Sequence, residues 1–245
     1  MIAVCSIFLA GTVSAQKEVF GFDIADGEIV TTDGAVSPAT EWDDSYKDFL
    51  YDGWTITTNF FRAKWQAAPV EAWLIEIPTD TTDDAGDNYK MCVDTDMVGT
   101  AAPDALDVKI DWTGGTTTLY AGTGTAWGTS TGMVGLEGDA FIATSIAASP
   151  AVATPHRIIE IYVNKAGAFA LGMSNNMYME YTDASTGDTF KWPPESSPDV
   201  PTGWGMGNTI FGDPIPEGLT VAVMLSLSAV AVLVSTRYFR KPPRI

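Results

Sequence analysis

The chain has 245 residues and a formal net charge of -18, and 46% of its residues are hydrophobic. Four of its 13 Lys and Arg residues lie after position 236, which leaves 9 basic residues against 31 acidic ones in the rest of the chain. Such a surface repels phosphate backbones and excludes nucleic acid as a partner. It suits cations, neutral ligands or a salty exterior.

The N-terminal segment has the pattern of a secretory signal peptide. An apolar run from Ile2 to Val13 ends in Val13-Ser14-Ala15, a small-x-small cleavage pattern, although no positively charged residue precedes the run. We therefore expect residues 1–15 to be removed; a buried N-terminal strand is the alternative. Removal would leave Cys92 as the only thiol, so no disulfide could form within the mature chain.

The middle of the chain shows short runs in which apolar and polar residues alternate. Leu106, Val108, Ile110 and Trp112 alternate with charged residues, which places them on one face of a strand. Similar patterns indicate further strands, separated by glycine turns, at 54–61, 73–77, 89–94, 116–120, 141–146, 159–163, 168–173 and 177–181. Many short strands at this spacing predict an all-β fold, an antiparallel β-sandwich of jelly-roll or immunoglobulin-like type, over residues 16–192.

The C-terminal part has the pattern of a membrane anchor. Residues 193–218 are rich in Pro, Gly and Ser and are predicted to form a stalk. Leu219 to Thr236 carries no charge and would span about 27 Å as a helix, close to the hydrocarbon thickness of a bilayer. A basic tail, 237–245, follows at once, which predicts that the tail is cytoplasmic and the bulk extracellular.

A short motif precedes the predicted anchor. Ile215-Pro216-Glu217-Gly218, the hydrophobic span and the basic end together resemble the PEF-type C-terminal sorting signals of archaeal surface proteins, with Gly218 in place of the usual Phe. The resemblance implies an archaeal cell-surface protein and, as a partner, a membrane sortase of the archaeosortase type that cuts near the Pro-Glu pair.

The ectodomain resembles family 9 carbohydrate-binding modules and the wider DOMON-like group. The matching pieces follow the order of the family: Thr32-Asp33-Gly34 with Glu41-Trp42, Ala63-Lys64-Trp65 with Glu71 to Pro78, Gly86-Asp87-Asn88 with Val93 to Asp96, Pro155 to Glu160, and Thr182-Asp183 to Trp192-Pro193. The resemblance covers roughly residues 25–194. It implies a sandwich of about eleven strands without catalysis, whose members often bind sugars and some of whose relatives bind haem.

Four tryptophans are candidates for contact with a sugar, because sugar rings stack on flat aromatic side chains. Trp127 is the strongest, since it lies in a loop of small residues where a large aromatic needs a ligand or a packing partner. Trp65, Trp112 and Trp204 are the others, although the alternation around Trp112 favours the core. Trp42 and Trp73 lie in apolar patterns and are predicted to be core residues.

An acidic stretch between residues 80 and 96 is the candidate metal site. Asp87, Asp94 and Asp96 are its candidate ligands for Ca²⁺, which binds six to eight oxygens and often uses closely spaced aspartates. Val98 stands where a third oxygen ligand is expected. A solvated acidic loop is the alternative reading.

The predicted function is a non-catalytic surface module that binds an extracellular glycan or a similar polymer. No nucleophile elbow, P-loop or dinucleotide fingerprint appears in the sequence, which disfavours an enzyme. One alternative is a structural surface-layer or filament subunit that associates with itself. Another is a haem-binding redox module, in which His156 would pair with Met173, Met177 or Met179; an exposed turn histidine and core methionines are the simpler reading.

Overall fold

The computed structural model describes residues 18–23, 30–36, 40–43, 45–66, 70–128, 140–164 and 174–210. Within these ranges the chain forms twelve strands and one short 3-10 helix, which confirms the all-β prediction. The elements are β1 (Glu18–Asp23), β2 (Tyr46–Asp52), β3 (Thr55–Gln66), β4 (Val70–Ile77), β5 (Asn88–Asp94), β6 (Asp107–Thr113), β7 (Thr116–Ala121), β8 (Ala140–Ala147), β9 (His156–Asn164), β10 (Ser174–Thr182), β11 (Thr189–Trp192), the 3-10 helix η1 (Pro201–Gly203) and β12 (Gly205–Ile210).

Eight of the twelve strands form two four-stranded halves of one continuous sheet. The first half has the order β7-β6-β5-β10 and the second has the order β3-β4-β9-β8, with antiparallel pairing throughout both halves. The β6–β7 hairpin shows how the sequence directs this pairing. Its turn is Gly114-Gly115, and both glycines have positive φ angles of 50° and 87°, as the tightest hairpin turns require.

Two sets of strands join the halves. One edge of β10 pairs with two different strands along its length, and so does one edge of β3. The C-terminal part of β10 pairs with β11, which continues through β2 to β3. The N-terminal part of β10 pairs with β12, which pairs in parallel with β1, and β1 pairs in parallel with the end of β3. The strand pairs therefore close a circuit, and the architecture lies between a sandwich and a barrel.

The main core lies between the two halves and is filled by the apolar positions of the alternating strands. Phe61 lies at its centre, with ring centroids 6.0 Å from Trp73 and 5.6 Å from Trp192. The predicted apolar face of β6 is confirmed by the burial of Val108, Ile110 and Trp112, whereas Leu106 lies before the strand and is 53% exposed. Trp42 and Trp73 are buried, as predicted.

The second half-sheet is covered on its outer side as well. The segment around Trp42 packs on Leu74 of β4 and Ile158 of β9, and these residues form a small second core. Consequently Glu160, which alternation places on the polar face of β9, is fully buried. Its Oε2 accepts hydrogen bonds from the backbone N–H groups of Asp33 and Gly34, and burial raises its pKa to about 7 in spite of these bonds.

The predicted stalk is wrong up to residue 210. The chain turns through η1, buries Trp204 and then forms β12 between β10 and β1, so these residues belong to the sheet. The predicted signal peptide, the strand at 168–173, the motif at 215–218 and the anchor at 219–236 lie outside the described residues. Among the residues that are described, no helix has the length and apolarity to span a membrane.

Candidate functional site

Trp127 is presented by a tightly fixed loop after β7. Gly122 and Trp127 form an isolated antiparallel bridge, and the N–H of Gly124 donates to the carbonyl of Pro103 at 2.8 Å. A Cβ atom on Gly122 would lie 2.1 Å from the backbone oxygen of Asp104, so only glycine fits there. Close backbone packing therefore requires the glycine at position 122 of this loop.

The packing partner of Trp127 is Trp204. The two indole rings are almost parallel, with an interplanar angle of 7° and centroids 6.4 Å apart. Each indole N–H donates to a neighbouring carbonyl, that of Trp127 to Pro198 at 3.2 Å and that of Trp204 to Ser197 at 2.8 Å. Trp204 is 2% exposed whereas Trp127 is partly exposed, so of the pair Trp127 is the one that a ligand could reach.

Beneath this pair lies the outer face of β5, β6 and β10. Cys92 and Tyr178 are fully buried there and pack against Trp204. Burial raises the pKa of the Cys92 thiol well above its ordinary value, which keeps the thiol protonated and unreactive. These two residues form the floor on which Trp204 and Trp127 are placed.

Lys109 lies between two aromatic rings on the same face. Its Nζ is 4.4 Å from the ring centroid of Tyr120 and 5.1 Å from that of Trp127. Both distances lie within the range of cation–π attraction. The strand register explains the arrangement, because Lys109 of β6 is directly opposite Tyr120 of β7 and follows the polar side of the alternating strand.

A charged row crosses the sheet next to Lys109. Lys90 of β5 is opposite Glu180 of β10, which is opposite Lys191 of β11. The Nζ atoms of Lys90 and Lys191 lie 2.6 and 3.6 Å from the carboxylate of Glu180, and the hydroxyl of Tyr178 donates to it at 2.6 Å. Burial opposes ionisation of Glu180, but these partners outweigh it and lower the pKa of Glu180.

We call the surface formed by Lys90, Lys109, Tyr120, Trp127 and Glu180 the Trp127 face. It combines two partly exposed aromatic rings with two ammonium donors, and the buried carboxylate of Glu180 fixes Lys90. Flat apolar rings beside fixed hydrogen-bonding groups are the arrangement that recognises small polar rings such as sugars. Of these five residues, only Trp127 was predicted from the sequence, because strand register brings the other four residues together.

Trp112 does not join this face, and of Trp65 only the position of the backbone is described. Trp112 is 4% exposed and lies in the main core, where the guanidinium of Arg157 is 5.6 Å from its ring centroid. Its prediction as a ligand contact is wrong, because its side of β6 faces inward. The backbone of Trp65 lies in β3 opposite Glu71 of β4, and β2 and β11 separate β3 from β10.

The three aspartates predicted to bind Ca²⁺ together are separated by the length of a strand. Asp87 precedes β5 and Asp94 ends it, which places them about 23 Å apart at 3.3–3.4 Å per residue. Asp96 is exposed in the loop after β5 and donates its backbone N–H to Asp94 at 3.2 Å. The predicted trio is therefore not one site.

Asp87 instead belongs to a buried ionic cluster at the start of β5. Single oxygens of Asp80, Asp84 and Asp87 lie within 4.8 Å of one another. Arg157 enters from β9 and donates to Asp87 at 2.6 Å and to Asp80 at 3.5 Å. Because Arg157 brings a fixed positive charge against Asp80 and Asp87, this cluster holds a protein cation where the sequence suggested a metal.

The other end of β5 carries a carboxyl pair. Asp94 and Asp107 are directly opposite in the β5–β6 ladder and both are buried. Asp94 accepts a bond from Asn176 at 2.9 Å, whereas Oδ1 of Asp107 has no partner among the described residues. Burial raises the pKa of Asp107 to about 7 and also raises that of Asp94.

His156 is buried, contrary to the expectation of an exposed turn histidine. Its Nδ1 lies 2.8 Å from the carbonyl of Thr154 and its Nε2 lies 3.0 Å from Glu76. Burial opposes the charged imidazolium, but these two acceptors outweigh it and raise the pKa of His156. Both ring nitrogens of His156 are engaged and Met177 and Met179 lie in the core, whereas Met173, the third predicted partner of His156, lies outside the described residues.

Comparisons with known proteins show which solved structures have a similar fold. No family model and no curated protein matches the sequence. A family 9 carbohydrate-binding module from Caldicellulosiruptor kristjanssonii, solved with cellotriose, is similar with a TM-score of 0.57 and 12% identity, over 82% of this chain and 98% of that one. The same kind of module solved with glucose gives 0.56 and 12%, over 81% and 99%. The chain therefore has a family 9 carbohydrate-binding-module-like fold.

Proposed function

We propose that this chain is a non-catalytic carbohydrate-binding module displayed on the outside of the cell, and that the Trp127 face is its binding surface. The observation that carries the proposal is the partly exposed Trp127 ring, fixed by Trp204 beside Lys109 and Tyr120. The similar structures support it, because they are carbohydrate-binding modules with cellotriose and glucose bound. The class of these two proteins, carbohydrate-binding modules, agrees with a proposed function of binding without catalysis.

Each residue of the face has a distinct task in this proposal. Trp127 and Tyr120 offer apolar ring surfaces to the C–H groups of a sugar. Lys109 and Lys90 donate to sugar oxygens, and the buried carboxylate of Glu180 holds Lys90 in place. Trp204, predicted as a ligand contact, is buried and so acts as a support that fixes the angle of Trp127.

The test is a glycan array probed with the full chain and with two tryptophan variants. Trp127→Ala should abolish binding to every glycan that the wild type captures, because the stacking surface is lost. Trp54→Ala is the matched control, since Trp54 is 70% exposed at the tip of the β2–β3 hairpin and is not part of the face. Absence of binding to any glycan, or binding that depends on Trp54 instead, would contradict the proposal.

A structural subunit is a second candidate, supported by a different surface. Trp54 and Ile56 are 70% and 61% exposed, and nearby Phe49 is 38% exposed. Exposed apolar side chains grouped on a hairpin are typical of protein contact sites. If the chain assembles with itself through this surface, Trp54→Ser should reduce its sedimentation coefficient toward that of a monomer, whereas Trp127→Ala should not.

We also propose that residues 219–236 attach the module to the cell membrane, with sortase processing near Pro216-Glu217 as a later step. The proposal is based on the length, apolarity and following basic residues of the segment. Intact-mass measurement of protein extracted from native membranes tests both ends of the chain. A mass that includes residues 1–15, or recovery of the full chain in the soluble fraction, would contradict this arrangement.

A further inference from the structure

Lys109 differs from most other cations of the described chain in what it contacts. Seven Lys and Arg residues are described, and five of them have an oxygen within bonding or ion-pair distance: Arg62, Lys64, Lys90, Arg157 and Lys191. Within the same described ranges, Lys47 and Lys109 contact ring faces only. Of these two, only Lys109 lies on the Trp127 face.

Two carboxylates on the strands near Lys109 are already engaged with other groups. Asp111, next along the polar side of β6, accepts from the side-chain amide of Asn88 at 2.8 Å. Glu180 accepts from Tyr178 and pairs with two lysines. The ammonium of Lys109 therefore keeps its N–H donors available, because an aromatic ring attracts its charge without supplying an oxygen acceptor.

The position of this ammonium defines the group that it would recognise. It lies 5.1 Å from the centre of the Trp127 ring, a distance comparable to the width of a pyranose. A sugar that contacts the exposed part of Trp127 would have substituents, such as the group at C6, within reach of Lys109. A neutral hydroxymethyl group there can accept one hydrogen bond, whereas a carboxylate accepts a charge-assisted bond and neutralises the open cation.

We propose that the Trp127 face selects glycans built from uronic acids, in which C6 carries a carboxylate, and that Lys109 determines this preference. The inference rests on the proposed function and specifies its ligand class. Lys109 meets the carboxylate, Trp127 and Tyr120 carry the sugar ring, and the Lys90–Glu180 pair orients the neighbouring hydroxyls.

The overall negative charge of the chain acts against such a ligand at long range. The formal net charge is -18, and the exposed Asp199 lies close enough to act electrostatically on Cys92 and Tyr178 under the face. At about 0.15 M salt, charges farther apart than about 8 Å are largely screened, whereas a contact ion pair at Lys109 is much less so. Asp199 is thus a nearby charge that would repel an acidic ligand of this face.

The test compares two oligosaccharides that differ only at C6: a β-1,4-linked glucose hexamer and the corresponding β-1,4-linked glucuronic acid hexamer. Affinities of the full chain for both are measured by titration calorimetry at about 0.15 M salt. The wild type should bind the acidic hexamer about two- to five-fold more tightly, the range of a solvent-exposed ion pair. Lys109→Gln should remove this preference and Lys109→Arg should keep it.

Asp199→Asn should change the affinity for the acidic hexamer in the direction opposite to Lys109→Gln. It should strengthen binding of the acidic hexamer and leave the neutral one unchanged. Equal affinity of the wild type for both hexamers, or a preference that survives Lys109→Gln, would overturn the inference while the proposed function stands. If the wild type binds neither hexamer nor any glycan on the array, the proposed function and this inference both fail.

Discussion

Removal of Arg157 should cost the protein a large part of its stability. The guanidinium is 1% exposed and donates to Asp87 at 2.6 Å, to Asp83 at 2.8 Å and to the carbonyl of Thr82 at 3.1 Å. Asp87 and Asp80 are as buried as the arginine, whereas the side chain of Asp83 is 80% exposed. The exposed contact contributes at most about 1 kcal/mol, so the buried pairs dominate the effect.

Arg157→Met keeps most of the side-chain volume and removes the charge. Two buried carboxylates are then left without their cation, and the loss of one partner from a buried pair costs roughly 3–5 kcal/mol. Asp83→Asn should cost less than about 1 kcal/mol, which makes it the matched control. Both values are read from urea unfolding followed by tryptophan fluorescence, since Trp112 lies against Arg157.

Calcium distinguishes a charge effect from a packing effect in this experiment. Because oxygens of Asp80, Asp84 and Asp87 lie within 4.8 Å of one another, millimolar Ca²⁺ should restore part of the stability of Arg157→Met. The double variant Arg157→Met with Asp84→Asn should lose that response. A cost of less than 1 kcal/mol for Arg157→Met would refute the reasoning that the buried ion pairs hold this end of the sheet together.

Three further predictions concern other parts of the fold. The pKa of Glu160 is raised to about 7, so its ionisation favours the unfolded chain. As the pH rises from 5 to 8, the free energy of unfolding of the wild type, measured in urea, should fall by about 2–3 kcal/mol relative to that of Glu160→Gln. A difference between the two proteins that stays constant with pH would refute this. Gly122→Ala places a Cβ 2.1 Å from a backbone oxygen and should lower the thermal midpoint by several degrees, whereas Gly99→Ala, whose nearest contact is 3.4 Å, should not. Tyr178→Phe removes the 2.6 Å bond to Glu180 and should cost about 1–3 kcal/mol in urea; an unchanged midpoint would show that the bond is dispensable.

The sequence was sufficient to predict the strands whose side chains alternate. The apolar side of β6 and the inward side of β10 follow directly from this pattern, because one buried face imposes a period of two. Trp127 was also recognised, since a large ring in a loop of small residues needs a partner. What alternation cannot reveal is that the partner is Trp204, which is 77 positions later and approaches only when η1 and β12 fold back.

The grouping of the three aspartates and the extent of the stalk were predicted wrongly for a related reason. In the sequence, Asp87 has the pattern of a metal ligand, because a local stretch of acidic residues does not show which cation neutralises it. In the structure that cation is Arg157 of β9. Gly205 to Ile210 lacks an alternating pattern and follows a run rich in proline, so its composition indicates a linker. Its strand pairing comes from the open edges of β10 and β1, which only the assembled sheet supplies.

The place of β12 in the sheet has a mechanical consequence. It pairs with β1 from Glu18↔Met206 to Phe22↔Ile210, and on its other edge it pairs with β10. A pull along the axis of β12 would load the backbone hydrogen bonds on both edges in shear, so they would share the load and not open one at a time. A module held at its C-terminal end while its ligand is dragged away would therefore resist extraction of its last strand.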